Sequence, residues 1–291
     1  MSLCIKYCGP NMKNVEKAEQ IKIEYRPEDE TLEQFIEINA GKHIYIEYPT
    51  ERDLFGENKE DLQRFKALKS VGDNWTFQVS LREIITAGET INSSKNIKLA
   101  AIRDCCPHFM FRDIAESWEE FNFLLSMKPS EIYVGYSIAF AMDDIKKRCN
   151  REEVKVRAYA NVAQKIWFED EDTKQFFIRP NDVKLYEKYL DGIDFVGDAN
   201  IQDIMFDIYS KGEWAGNLDE IIVGLGEPVN NITLPDKFGE YRLNCKKRCL
   251  VNGSCHLCNG MRMFADTFAK GLQRDAEVNG YVNTDENNKS R

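Results

Sequence analysis

Short β-rich runs alternate with longer amphipathic patterns along most of this chain, and that alternation restricts the fold more than any other feature. Ile21–Tyr25, His43–Tyr48, Trp75–Val79, Ile97–Ile102, Glu131–Val134, Val154–Tyr159, Gln175–Ile178 and Ile193–Val196 read as strands. Thr31–Ala40, Lys59–Lys69, Trp118–Met127, Met142–Cys149, Asp182–Leu190 and Ile201–Lys211 read as helices. On Lys59–Lys69, the residues Leu62, Phe65 and Leu68 fall on one face. Strands separated by helices pair in parallel as βαβ units. Eight such units in roughly 200 residues predict an α/β fold, a compact (β/α)8 TIM-type barrel. The alternative is an open doubly wound parallel sheet. No G-x-G-x-x-G follows the first strand, which weakens its dinucleotide-binding version.

These patterns divide the chain. Residues 1–20 are polar and mixed, and are expected to form an N-terminal extension. The barrel is expected over 21–240, followed by a cysteine-rich metal module with a terminal helix over 241–278. Residues 279–291 are polar and lack apolar periodicity, so they are expected to be a disordered tail.

Chemistry is most explicit in the run NCKKRCLVNGSCHLCNG, where Cys245, Cys249, Cys255 and Cys258 are spaced C-x3-C-x5-C-x2-C. Thiolates this close along a chain can share one metal centre, and Cys255 with Cys258 form the tight knuckle common to zinc and iron–sulfur sites. Two disulfides or four unrelated thiols are the plainer readings. Nine cysteines without an export signal favour a reducing cytoplasm, where a metal site outranks a disulfide framework. Four local ligands leave no open coordination position, which points to bracing or electron transfer over Lewis-acid catalysis.

The net charge is −10, and such a surface repels bare phosphate backbones, so non-specific nucleic-acid binding is not expected. No apolar run is long enough to cross a membrane.

In a barrel, ligands sit at the C-terminal ends of the strands. The residues predicted there include Arg26, Glu47, Arg103, Asp104, Asn161, Gln164, Arg179 and Asp198. Arg26, Arg103 and Arg179 could clamp a carboxylate or phosphate, because a guanidinium offers paired donors. Glu47 and Asp104 are candidate acids or bases, with Asp198 as a further one or a helix cap. Arg26, Asn161, Gln164 and Asp198 are the candidate substrate-binding group. Polar residues at strand ends also cap helices or pair with each other, and that structural alternative stands for each. His43 is expected to be structural, while RDCCPH, with Cys105, Cys106 and His108, reads as a structural or reactive-thiol segment.

From Ile132 to Cys258 the order of segments is EIYVGYSIAFAMDDIKKRC, VKVRAYANVAQ, FFIRPNDVKLYEKYLDGIDFVG, GEWAGNLDEII and the cysteine run. This resembles the collagenase-like peptidase family U thirty-two and its relatives, among them tRNA- and ubiquinone-hydroxylation proteins. The resemblance covers less than half the chain. It implies a TIM-type barrel with a cysteine-ligated centre, in several relatives an iron–sulfur cluster, and by position the ligands would be Cys245, Cys249, Cys255 and Cys258. It tilts the cofactor towards [4Fe–4S], with zinc as the alternative. The family's E-x-F-x-H-G core is absent here, and its better-known members spread their cysteines more widely. A divergent relative, phage-borne or housekeeping, is implied. The expected function is a barrel acting on RNA or a small anionic substrate. The alternative is a non-catalytic scaffold or phage-encoded interaction protein whose metal module docks a protein partner.

Overall fold

The computed structural model describes residues 1–85, 91–135, 141–167, 173–225, 231, 234 and 238–243, with the side chains of 91–93, 164–167, 173–176 and 241–242 aside. Its centre is a closed barrel of eight parallel strands. In chain order these are β1 (Ser2–Lys6), β2 (Gln20–Glu24), β3 (His43–Glu47), β4 (Trp75–Val79), β5 (His108–Ala115), β6 (Glu131–Val134), β7 (Lys155–Tyr159) and, last, β10 (Gly192–Asp194). Between β7 and β10 lies an antiparallel hairpin outside the barrel, β8 (Gln164–Trp167) with β9 (Thr173–Phe176). The helices are α1 (Leu32–Ile38), α2 (Asp61–Lys69), α3 (Leu81–Ile84), α4 (Ile91–Cys105), α5 (Trp118–Ser126), α6 (Met142–Arg151), α7 (Val183–Tyr186), α8 (Ala199–Lys211) and α9 (Phe238–Leu243). Closure removes the open-sheet alternative.

The structure corrects the sequence reading in three places. Ser2–Lys6 is no extension. It pairs with β2 on one side and β10 on the other, so the barrel starts at residue 2 and could not close without it. Ile97–Ile102 lies inside the fifteen-residue helix α4. A six-residue apolar run fits strand and buried helix equally well, and here the helix wins. The strand at this position is β5, which the sequence reading passed over. Third, the segment read as the seventh barrel strand contributes to the hairpin instead, and the chain then runs through a 3-10 turn at Pro180–Asp182 into α7.

Alternate residues of the strands face out and in, with one irregularity in β5 between Met110 and Ile114. Ile21, Ile23, Ile44, Ile46, Phe77 and Val79 point outward and join the core under the helices, with Leu32, Phe65, Leu68 and Ile102 among their partners. Most inward positions are polar or aromatic: Lys22, Tyr45, Glu47, Gln78, Glu131, Tyr133, Arg157 and Asp194 are all buried, with Cys4 and Met110 packed among them. A barrel interior is commonly filled by Val, Ile and Leu. This one is filled by charges and phenols. Gly192 makes room for one of them, since a Cβ there would collide with the Arg157 guanidinium.

Candidate functional site

Two linked clusters occupy the barrel interior. The deeper one is built around Lys22 and Arg157. Lys22 Nζ lies 3.0 Å from Asp194 Oδ1 and donates to the Tyr133 hydroxyl at 2.9 Å. The rings of Tyr133 and Tyr159 stack beside it, their centroids 4.8 Å apart. Arg157, fully buried, reaches Asp194 Oδ2 through Nε at 2.9 Å and Glu131 Oε2 through Nη1 at 3.1 Å. Its Nη1 also donates to the Tyr45 hydroxyl, which in turn donates to Glu131. Two cations thus face two carboxylates, with the Tyr45 and Tyr133 hydroxyls and the Gln20 side-chain carbonyl accepting from them. Burying one such charge alone costs several kcal/mol, so each ion depends on its partners. Burial pushes the Asp194 carboxyl up, but Arg157 and Lys22 outweigh it and hold the group below its ordinary range. Burial works against the charge of Lys22, and Asp194 overrides it, so the ammonium loses its proton only well above its ordinary range.

The second cluster lies at the C-terminal mouth. Lys6 from β1 and Arg112 from β5 converge on Glu47 at the end of β3. Lys6 Nζ is 2.9 Å from Oε2, and Arg112 Nη2 is 2.8 Å from Oε1. Each carboxylate oxygen therefore carries one cation. Arg112 is fixed further by donating to the Tyr48 carbonyl at 2.9 Å. It sits in an irregular stretch of β5, where the chain advances four positions from Met110 to Ile114 while β6 advances two, from Glu131 to Tyr133. Bulges of this kind re-aim side chains. Burial raises the Glu47 carboxyl, and Lys22, Arg112 and Lys6 together override that, so the group is held below its ordinary range as a carboxylate. The two cations remain partly open to solvent, with side-chain exposures of 34% and 30% against 11% for Glu47. Gln78 joins the clusters, its Nε2 donating to Tyr133 at 3.2 Å, while its buried Oε1 has no hydrogen-bond partner among the described residues.

The predicted site residues are dispersed. Glu47 is in the mouth. Asn161, just past β7, is buried and clasps Val196, donating to its carbonyl and accepting from its amide, both at 2.8 Å. Asp198 caps α8 by accepting from Ile201. Arg26 follows β2 and is exposed, its carbonyl accepting from Arg64. Arg103 and Asp104 end α4 and precede β5, so they lie at the opposite end of the barrel from the mouth. Their rim placement followed from reading part of α4 as a strand. Arg103 donates to the Met127 carbonyl and lies over Phe109, and exposed Asp104 pairs with Lys66. Arg179 is buried against Asp182 and Phe238. Gln164 opens β8 in the outer hairpin, and its side chain is outside the described residues, as are Cys245, Cys249, Cys255 and Cys258. Cys105 and Cys106 are buried, and burial raises both thiols away from the reactive thiolate.

Sequence reasoning missed Lys6, Lys22, Arg112, Glu131, Arg157 and Asp194. For Lys22, Arg157 and Asp194 the signal was present. IKIEY, VKVRAY and IDFV place charges at every second position of runs that are otherwise apolar. With helices covering the outside of a barrel, the alternate position faces inward.

A groove between α5 and α6, about 650 Å³ in volume, is lined by Trp118, Asn122, Asp144, Lys147, Arg148 and Arg151. It is on the outer wall, away from the mouth. Among the described residues, no three His, Cys, Asp or Glu side chains gather as a metal site, and no helix is long and apolar enough to cross a membrane. No family model matches the chain, and no curated protein matches it.

Proposed function

We propose that the barrel mouth binds a small anionic ligand, a carboxylate or phosphate-like group, between Lys6 and Arg112. One observation carries this reading: two partly exposed cations from opposed parts of the barrel wall converge on a single point at the C-terminal mouth, where barrels of this architecture hold their ligands. Gln78 Oε1, beneath them, is an acceptor suited to a hydroxyl or amine on the same ligand. Isothermal titration with sulfate and with succinate tests the reading. Saturable binding that weakens about tenfold or more in Arg112→Gln is expected, the scale of one lost charge-assisted hydrogen bond. A Lys147→Ala/Arg151→Ala variant should bind as the parent does. Loss of binding in that variant would move the site to the outer groove, and absence of binding to the parent would reject it.

The non-catalytic scaffold is the second reading. It is favoured by the structural engagement of Arg103, Asp104, Asn161 and Arg179, which hold the fold together and do not converge. In either reading the four thiolates of Cys245, Cys249, Cys255 and Cys258 form a donor set that suits a [4Fe–4S] cluster, or zinc, as a brace or electron carrier in a cytoplasmic protein. Purification without oxygen, followed by an absorption spectrum and metal analysis of the parent and Cys255→Ser, tests that part. A parent free of iron and zinc rejects it.

A further inference from the structure

Glu47 occupies the position that an anion would need. Its two oxygens already satisfy Lys6 and Arg112, one each. The groups that face it from the surrounding strands are Lys6 of β1, Lys22 and Glu24 of β2, and Arg112 of β5. Three are cationic. The fourth, Glu24, is the register partner of Glu47 and is exposed to solvent. An incoming anion that takes Lys6 and Arg112 removes two of the three favourable partners and adds a negative charge beside a carboxylate that is mostly buried. A carboxylate left in that condition gains by becoming neutral.

We infer that an anion binding between Lys6 and Arg112 displaces the Glu47 carboxylate from both, and that Glu47 takes up one proton from solvent as it does so. This inference rests on the anion-site reading above. The balance is simple: one anion enters, one proton enters with it, and no covalent bond in the protein breaks. The displaced Glu47 carboxylic acid then sits next to the bound anion with an O–H to donate, which is the position of a general acid. In the free protein Glu47 is no such acid, because its cations hold it ionised; the ligand itself would create the acidic form.

The test is calorimetry with sulfate between about pH 5.5 and 7.5, where sulfate stays a dianion and any proton taken up on binding goes to the protein. Binding heats are measured in buffers of differing ionisation enthalpy. Uptake approaching one proton per sulfate, with affinity rising as pH falls across that range, is expected. Glu47→Gln, an uncharged isostere of the protonated acid, should bind sulfate more tightly than the parent, with uptake abolished. If Glu47→Gln does not fold, the pH dependence of the parent decides alone. Sulfate binding with no proton uptake at any of these pH values would overturn the inference and leave the anion site standing. Absence of sulfate and succinate binding to the parent would overturn the site and this inference with it.

Discussion

Lys22 and Tyr133 meet across the middle of the barrel, ammonium to phenol at 2.9 Å, although their strands stand on opposite walls. Arg157 and Tyr45 make a second such crossing between β7 and β3. The interior is therefore tied by polar bonds where most barrels rely on interdigitated aliphatic side chains. Such a core is only as good as its charge balance. Lys22→Met removes one cation and leaves Asp194 with Arg157 alone, a loss expected to cost about 3–5 kcal/mol because it uncovers a buried charge. Adding Asp194→Asn should recover much of it, since the exposed charge is then gone. Urea denaturation of the four proteins gives the coupling, and strict additivity of the two losses would show that the pair is not a unit.

Gly192 faces the other cation. A Cβ there would collide with the Arg157 guanidinium, which has no room to move away from Asp194 and Glu131. Gly192→Ala is expected to lower stability by about 1–3 kcal/mol as overpacking. Arg157→Met on the Gly192→Ala background relieves the collision but takes one cation from Asp194 and the nearer cation from Glu131, so it should be worse still. A melting temperature for Gly192→Ala equal to the parent's would mean that Arg157 does not fill that space.

The barrel itself was legible because strand–helix alternation has few solutions. Its polar centre was legible in principle, through the charges at alternate positions of β2, β7 and β10. It was overlooked because those charges are far apart in sequence: Lys22 and Asp194 join only when the ring closes. The short strand SLCIK carries too little pattern to announce itself before a loop rich in polar residues. Beyond it, IKLAAI has the composition of a strand but continues a helical stretch from Ile91, and that one confusion sent Arg103 and Asp104 to the wrong end of the barrel. Glu47 was found because it ends a clear strand. Arg112, its partner, was hidden in a strand the sequence reading did not place.

Asn161 illustrates how a polar residue at a strand end can be structural. Its amide pairs with both backbone groups of Val196 and so fastens the end of β7 to the end of β10. Asn161→Ala is expected to cost about 1–3 kcal/mol for each buried backbone group left without a partner. Asn161→Asp should be worse, since it keeps one acceptor, loses the donor and buries a charge. Sulfate affinity of the folded Asn161→Ala protein should match the parent's. A large loss of affinity with an unchanged melting temperature would make Asn161 a ligand-binding residue instead.

His43 gives the barrel a distinct response to acid. It opens β3, shares a bond of 2.8 Å with Thr76 and packs on Tyr45. Burial lowers its titration most. Glu131 pulls the other way, and Lys155 and His108 add to the lowering, so the imidazole titrates at about 4 in the fold against an ordinary 6.5. Between these values the unfolded chain carries a proton that the folded chain does not. Stability from His43 is therefore complete above about pH 6.5 and is lost progressively as the pH falls towards about 4. Asp194 and Glu47, held below their ordinary values of 3.8 and 4.5, keep their contributions until the pH falls below those values, and so lose them mostly in a more acidic window. His43→Gln retains a partner for Thr76 but cannot titrate. Its melting temperature should fall less than the parent's between about pH 6.5 and 4.5, and the two proteins should respond alike above that range. Parallel curves throughout would mean that His43 is protonated as easily in the folded barrel as in the open chain.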